Sequence, residues 1–142
     1  MTTAPRNILL VEPEPVLAQI TAFRLELLGY FVNTVNSAEE ALQEIVQSRP
    51  DLLITDLVLP GLDGMGLIER LTTDEATSDL PIMVLSIDAD LAQVQEVYGL
   101  GAKDFLVVPF DLGILEEKVA ALLVGAPVRP AAPVAEAAGT AK

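Results

Sequence analysis

Residues 51–67, "DLLITDLVLPGLDGMGL", set four mostly apolar residues between two aspartates and then turn through Pro60-Gly61. Leu52–Asp56 reads as a strand that ends on an acid. Asp63 can cap a short helix that points Leu67, Ile68 and Leu71 inward. A carboxylate delivered by a buried strand sits at the edge of a sheet, where α/β folds usually bind ligands. The plain reading of Asp56 is a cap on the following turn. Its surroundings decide whether it is more.

Outward from this stretch, apolar runs and amphipathic runs alternate. Ile8–Val11 is a strand, followed by a helix over Val16–Leu28 with Val16, Ile20, Phe23 and Leu27 on one face and Gly29 at its end. Phe31–Val35 is the second strand. Ser37-Ala38-Glu39-Glu40 is a capping box for a helix through about Gln47, with Leu42, Ile45 and Val46 inward. Ile82–Ser86 and Asp104–Val107 are the fourth and fifth strands, each followed by a helix, Asp90–Tyr98 and Asp111–Leu123. Met65, Met83, Phe23 and Phe110 read as core residues, and Gln93 and Glu96 as a solvated face. Five strand–helix repeats imply a parallel sheet covered on both faces. Residues 1–124 form one domain on this reading, and the Ala/Pro-rich 125–142 a disordered tail or linker.

Composition narrows the chemistry. The 142 residues include no Cys and no His, which excludes disulfides, thiol catalysis and the commonest general base and metal ligand. A net charge of −13 argues against direct nucleic-acid binding. The opening "MTTAPRN" lacks the apolar core of a signal peptide, and no run approaches a membrane span. A soluble, cytoplasmic protein is expected.

Strands of one parallel sheet end on one edge, here with Glu12, Asp56, Ser86 and Val108. The first of these lies in "LLVEPEPVL" (9–17), where Glu12 and Glu14 alternate with Pro13 and Pro15. Two adjacent carboxylates there would make a cation site; Glu-Pro supplies only half of one.

Taken in order, "DLLITDLVLPGLDGMGL", "PIMVLSI" and "GAKDFLVVPFD" resemble the receiver domain of two-component response regulators, over about Asn7 to Leu123. The resemblance implies an α/β, flavodoxin-like (βα)5 fold, a doubly wound five-stranded parallel sheet of order 2-1-3-4-5. It also implies a cis bond at Val108–Pro109. Asp56 matches the phosphoacceptor, Ser86 the switch hydroxyl and Phe105 the switch aromatic. Glu12 matches the first of two acids, and the Val58 backbone carbonyl a third metal ligand. Expected partners are a histidine kinase or another signalling protein, met through the helix 4–strand 5–helix 5 face or helix 1; a homodimer stays open.

Two family parts are missing. Pro13 stands where the second metal-binding acid is expected, and Val108 where a Lys is expected. Lys103 lies about 16 Å from the edge at about 3.3 Å per residue, too far to substitute. Mg²⁺ binding at Glu12, Asp56 and Val58 is therefore expected to be weak or absent, with no other cofactor. The first reading is a non-enzymatic receiver with impaired phosphorylation at Asp56. The second is a phosphorylation-independent pseudo-receiver. A flavodoxin is disfavoured because "EPEPV" is not a phosphate loop, and an aspartyl-phosphate enzyme because Val58 is not an acid.

Overall fold

The computed structural model describes residues 5–88 and 90–124; the expected tail, 125–142, lies outside them. Strands β1 (Asn7–Val11), β2 (Phe31–Val35), β3 (Leu52–Asp56), β4 (Ile82–Ser86) and β5 (Asp104–Val107) form one parallel sheet of order β2-β1-β3-β4-β5. Helices α1 (Pro15–Leu27), α2 (Ala38–Gln47), α3 (Gly64–Thr73), α4 (Leu91–Leu100) and α5 (Leu112–Val124) follow the strands in turn. This is the expected doubly wound fold, and the Val108–Pro109 bond is cis.

Side-chain alternation along the strands builds two cores. Leu9, Val11, Leu53, Ile82, Val84 and Phe105 face α2, α3 and α4. Ile8, Leu10, Leu52, Ile54, Met83, Leu85 and Leu106 face α1 and α5. Apolar residues on both faces are why β1, β3 and β4 read as continuous hydrophobic runs.

The helix ends follow from local chemistry. Ser37 Oγ accepts from the Glu40 amide at 3.1 Å, while Glu40 Oε1 accepts from the Asn36 amide at 2.9 Å. The box therefore reaches one residue further back than its simplest form. Asp111 Oδ1 accepts from the amides of Gly113 and Ile114 at 2.7 and 3.2 Å, which starts α5. α4 has no side-chain cap at Asp90, and closes on Gly101 at φ +118°.

The structure corrects the reading of α1. Val16, Ile20, Phe23 and Leu27 face outward, with Phe23 62% exposed, and the buried face is Ala18, Thr21 and Leu25. At about 100° per residue the two stripes lie on opposite sides of the helix, so each is a valid helical pattern. The narrower stripe wins because Ala18 and Ala22 let the backbone approach the sheet closely, with Leu25 filling the remaining space. Arg24 pairs with Glu116 of α5, which fixes this rotation. Val46 is likewise outside, 86% exposed, because α2 buries Ala38, Ala41 and Ile45. Met83 is core as expected, whereas Met65 and Phe110 only border it. Glu96 is solvated, but Gln93 is partly buried, with its Oε1 enclosed and unpartnered.

This rotation predicts unequal costs along one helix. Leu25→Ala should destabilise by about 2–5 kcal/mol, the usual range for a fully buried leucine. Phe23→Ser should change stability by no more than about 0.5 kcal/mol, as at an exposed position. Urea unfolding of the two variants checks the assignment, and a large loss at Phe23 would place the other stripe inside.

Candidate functional site

Register brings the candidate residues together at the C-terminal edge. Val11 pairs with Thr55, so the next residues, Glu12 and Asp56, stand level on adjacent strands. By alternation both follow Leu10 and Ile54 on the α1/α5 face. The Glu12 amide continues the ladder by donating to the Val35 carbonyl at 3.0 Å, which draws its side chain inside. Glu12 is 1% exposed.

Three groups compete for that carboxyl. Oε2 accepts from the Glu14 amide at 3.1 Å, whereas Oε1 is buried without a partner among the described residues. Burial pushes the Glu12 carboxyl up to about 7 from its ordinary 4.5. The Glu14 amide pulls the other way, while the Asp56 charge, a hydrogen bond shared with Asp56 and the Glu14 charge add to the rise. Near neutral pH the Glu12 carboxyl is thus only partly ionised. Glu14 itself does not reach toward a cation. Its Oε1 accepts from the Leu17 amide at 2.9 Å and caps α1.

Asp56 is positioned from behind. Its Oδ1 accepts from the Val58 amide at 3.1 Å, and its carbonyl accepts from Thr55 Oγ1 at 2.8 Å. Gly64, the first residue of α3, donates its amide to the Leu57 carbonyl at 2.9 Å. A Cβ there would lie 2.4 Å from the Asp56 carbonyl oxygen, so only glycine permits this approach. Further round the loop, Glu39 Oε2 accepts from the Leu62 amide at 3.0 Å. That bond holds Glu39 below the usual carboxylate range. Sequence reading missed both Glu39 and Gly64. A glycine opening a helix four residues after "LVLP" offered no signal, and Glu39 served only as part of the capping box.

The remaining candidates are split. Ser86 is buried, and its Oγ accepts from the Asp88 amide at 3.1 Å. Phe105 is turned inward on the same sheet face, against the α4 core. Val58 is 75% exposed at the mouth. Val108 donates its amide to the Ser86 carbonyl at 2.8 Å, and its side chain borders the α1/α5 core.

No described cation arrives at this edge. Arg24 is paired with Glu116, Arg49 with Asp79 and Lys118 with Asp104. Arg6 donates to the Leu123 carbonyl, Arg70 lies in the last turn of α3, and Lys103 precedes β5. Among the described residues, no three Asp, Glu, His or Cys side chains cluster to hold a metal. Pro13 contributes no acid. Glu12, Asp56 and the Val58 carbonyl are the oxygen donors that an Mg²⁺ ion would use at this edge.

The family model described as the response regulator receiver domain matches residues 8–120. The DNA-binding dual master transcriptional regulator RpaA of Synechocystis is 33% identical over 117 residues, covering 82% of this chain and 48% of that protein. The phosphate regulon transcriptional regulatory protein PhoB of Pseudomonas aeruginosa is 32% identical, covering 83% and 52%. The chain thus spans about half the length of these relatives. Among solved structures, the signal receiver domain of a signal transduction histidine kinase from Syntrophus aciditrophicus superposes with a TM-score of 0.81 at 30% identity, covering 91% of this chain and 98% of that one. A receiver domain of a Pseudomonas aeruginosa sensor histidine kinase, with magnesium coordinated in its active-site cleft, gives 0.78 at 28% identity, covering 84% and 98%.

The raised Glu12 carboxyl makes stability fall with pH. A group whose folded pKa exceeds its unfolded value stabilises fully below the unfolded value, and that stabilisation is lost as pH rises through the folded one. Between pH 4.5 and just above 7, unfolding free energy should drop by up to about 3 kcal/mol from this group. Chemical denaturation across that window should show the slope in the native protein. In Glu12→Gln, which cannot ionise, it should be largely flattened.

Proposed function

The chain belongs to the response regulator receiver domain family, and from that premise we propose that its own phosphoryl chemistry at Asp56 is impaired. It is a signalling receiver domain of two-component systems. Asp56 is the phosphoacceptor in this reading: a carboxylate oxygen bonds to phosphorus as the donor's leaving group departs. That attack requires an ionised Asp56 and positive charge on the transferring oxygens. The carrying observation is the buried Glu12 carboxyl, raised to about 7 beside the half-buried Asp56, at an edge where the ion pairs of Arg24, Arg49 and Lys118 leave those cations elsewhere. Ser86 and Phe105 are kept as the switch hydroxyl and aromatic; both lie on the α4 side of the sheet, which suits that role. Glu12, Asp56 and the Val58 carbonyl would bind Mg²⁺ weakly at most.

Partner contact is proposed through α1 and through α4–β5–α5. The outward stripe Val16, Ile20, Phe23 and Leu27 starts next to the pocket, directly after the Glu14 cap. A groove of about 560 Å³ runs beside it, lined by Ile20, Phe23, Glu26 and Thr34. Leu91, Val107 and Ile114 expose apolar surface on α4, β5 and α5. A histidine kinase or other signalling protein is the expected partner on α1. These faces also favour the second reading, an interaction module that works without phosphorylation. Residues 1–124 are assigned to the receiver and 125–142 to a tail, in keeping with a family match that ends at residue 120. No described helix is long and apolar enough to cross a membrane, and a cytoplasmic location is proposed.

Intact-mass spectrometry after incubation with acetyl phosphate and Mg²⁺ tests the reading. The native chain should label slowly and substoichiometrically. Pro13→Asp combined with Val108→Lys should gain more label than the two single variants together, since the groups act as a unit. Asp56→Asn should abolish it. Rapid stoichiometric labelling of the native chain would refute the impairment.

A further inference from the structure

α1 is apolar on two opposite sides. Ala18, Thr21 and Leu25 meet the sheet, while Val16, Ile20, Phe23 and Leu27 face outward at 49% to 62% exposure. A surface helix needs one apolar stripe to hold it to its domain, and the inner stripe already does so. The outer one is a contiguous apolar strip along the whole helix, the kind of surface that marks a protein contact.

The spacing of the strip points to its occupant. Its four positions follow one another at four, three and four residues. That is the seam period of helices that pair lengthwise, knobs into holes, at a crossing angle of about 20°. Laid antiparallel about a twofold axis between positions 21 and 22, this seam closes on its own copy. Val16 then faces Leu27 of the second copy, and Ile20 faces Phe23 of the second copy, each contact being made twice. Every layer joins a smaller side chain to a larger one, which keeps the seam at even depth. A parallel pair would set Phe23 on Phe23 and Val16 on Val16, and would align the two helix dipoles. The borders of the antiparallel seam are also compatible. Gln19 flanks Glu26 of the second copy on one side, and on the other Leu17 flanks Arg24, which Glu116 already neutralises. No like charges meet there, although the chain carries a net charge of −13 that opposes contact elsewhere.

We propose that α1 is a self-association helix, and that two copies of this chain pair antiparallel along Val16, Ile20, Phe23 and Leu27. Side chains of this size and exposure, with the stems of Gln19, Arg24 and Glu26 at the border, bury on the order of 1,000 Å² over the pair, enough for a specific but weak dimer. Pairing covers α1, so self-association and docking of another signalling protein compete for one face. Neither event requires phosphoryl chemistry at Asp56.

Sedimentation velocity tests this on the 142-residue chain, from about 10 μM to about 1 mM, the range in which so small an interface dissociates. The native chain should pass from monomer to dimer, and added NaCl should favour the dimer by screening the net charge. Phe23→Glu should weaken association about tenfold or more, because it sets a charge against Ile20 in the seam. Ile114→Glu, on the exposed side of α5, should leave association unchanged. Ile20→Glu and Phe23→Lys should each weaken it, and the two combined should pair more tightly than either alone, since antiparallel packing sets Glu against Lys. Circular dichroism checks that the variants fold. Independently of any variant, concentration-dependent ¹⁵N shifts of the native chain should fall on the α1 amides. A chain that stays monomeric at the highest concentration would overturn the proposal, leaving α1 to a different protein and the reading of Asp56 untouched. Dimers that survive Phe23→Glu, dimers loosened by salt, or shifts confined to α4, β5 and α5 would overturn it as well. A combined variant no tighter than the single ones would overturn the antiparallel pairing.

Discussion

Two carboxyl groups held side by side, with no described cation paired to either, form the constraint around which this protein is arranged. Parallel pairing of β1 with β3 sets Glu12 level with Asp56, and continuation of the ladder to Val35 keeps Glu12 inside. Burial raises the Glu12 carboxyl to about 7 and the Asp56 charge beside it adds to the rise, so Glu12 is only partly ionised near neutral pH. The surroundings soften this rise without removing it. The Glu14 amide reaches Oε2, and the Glu14 side chain is occupied in capping α1. The prolines on either side of Glu14 thus shape a helix entry where the family ordinarily places a second acid.

The other acid is held by the loop that follows it. Gly64 allows α3 to start against the Asp56 backbone, Asp63 Oδ1 caps that start from the Gly66 amide at 2.8 Å, and Glu39 ties Leu62 to α2. Gly61, at φ +74°, makes the turn between them. Nothing in this loop is degenerate. The departures from the family pattern that the resemblance marks lie beside the carboxylates: Pro13 stands where a second acid is expected and Val108 where a Lys is expected.

The sheet was legible because buried parallel strands leave uninterrupted apolar runs, and the candidate edge followed from where those runs stop. Pro13 and Val108 were legible as missing chemistry for the same reason. The rotation of α1 was not, since two opposed stripes satisfy the helical period and only the space beneath the helix chooses the one led by Ala18 and Ala22. Val46 was misplaced by the same ambiguity in α2. The cap made by Glu14, the tether made by Glu39 and the approach of Gly64 depend on contacts across loops, which periodicity does not encode. Likewise the raised Glu12 carboxyl follows from its depth, and no neighbour in sequence announces that depth.

The central claim is that burial, with the Asp56 carboxylate beside it, holds the Glu12 carboxyl well above its ordinary range. Carboxyl ¹³C NMR of selectively labelled glutamate, followed from pH 4 to pH 9, reads this directly. The account predicts that Glu12 titrates near 7 and that its midpoint falls toward the ordinary glutamate range in Asp56→Asn. A Glu12 midpoint close to 4.5 in the native chain, unmoved by that substitution, would contradict it.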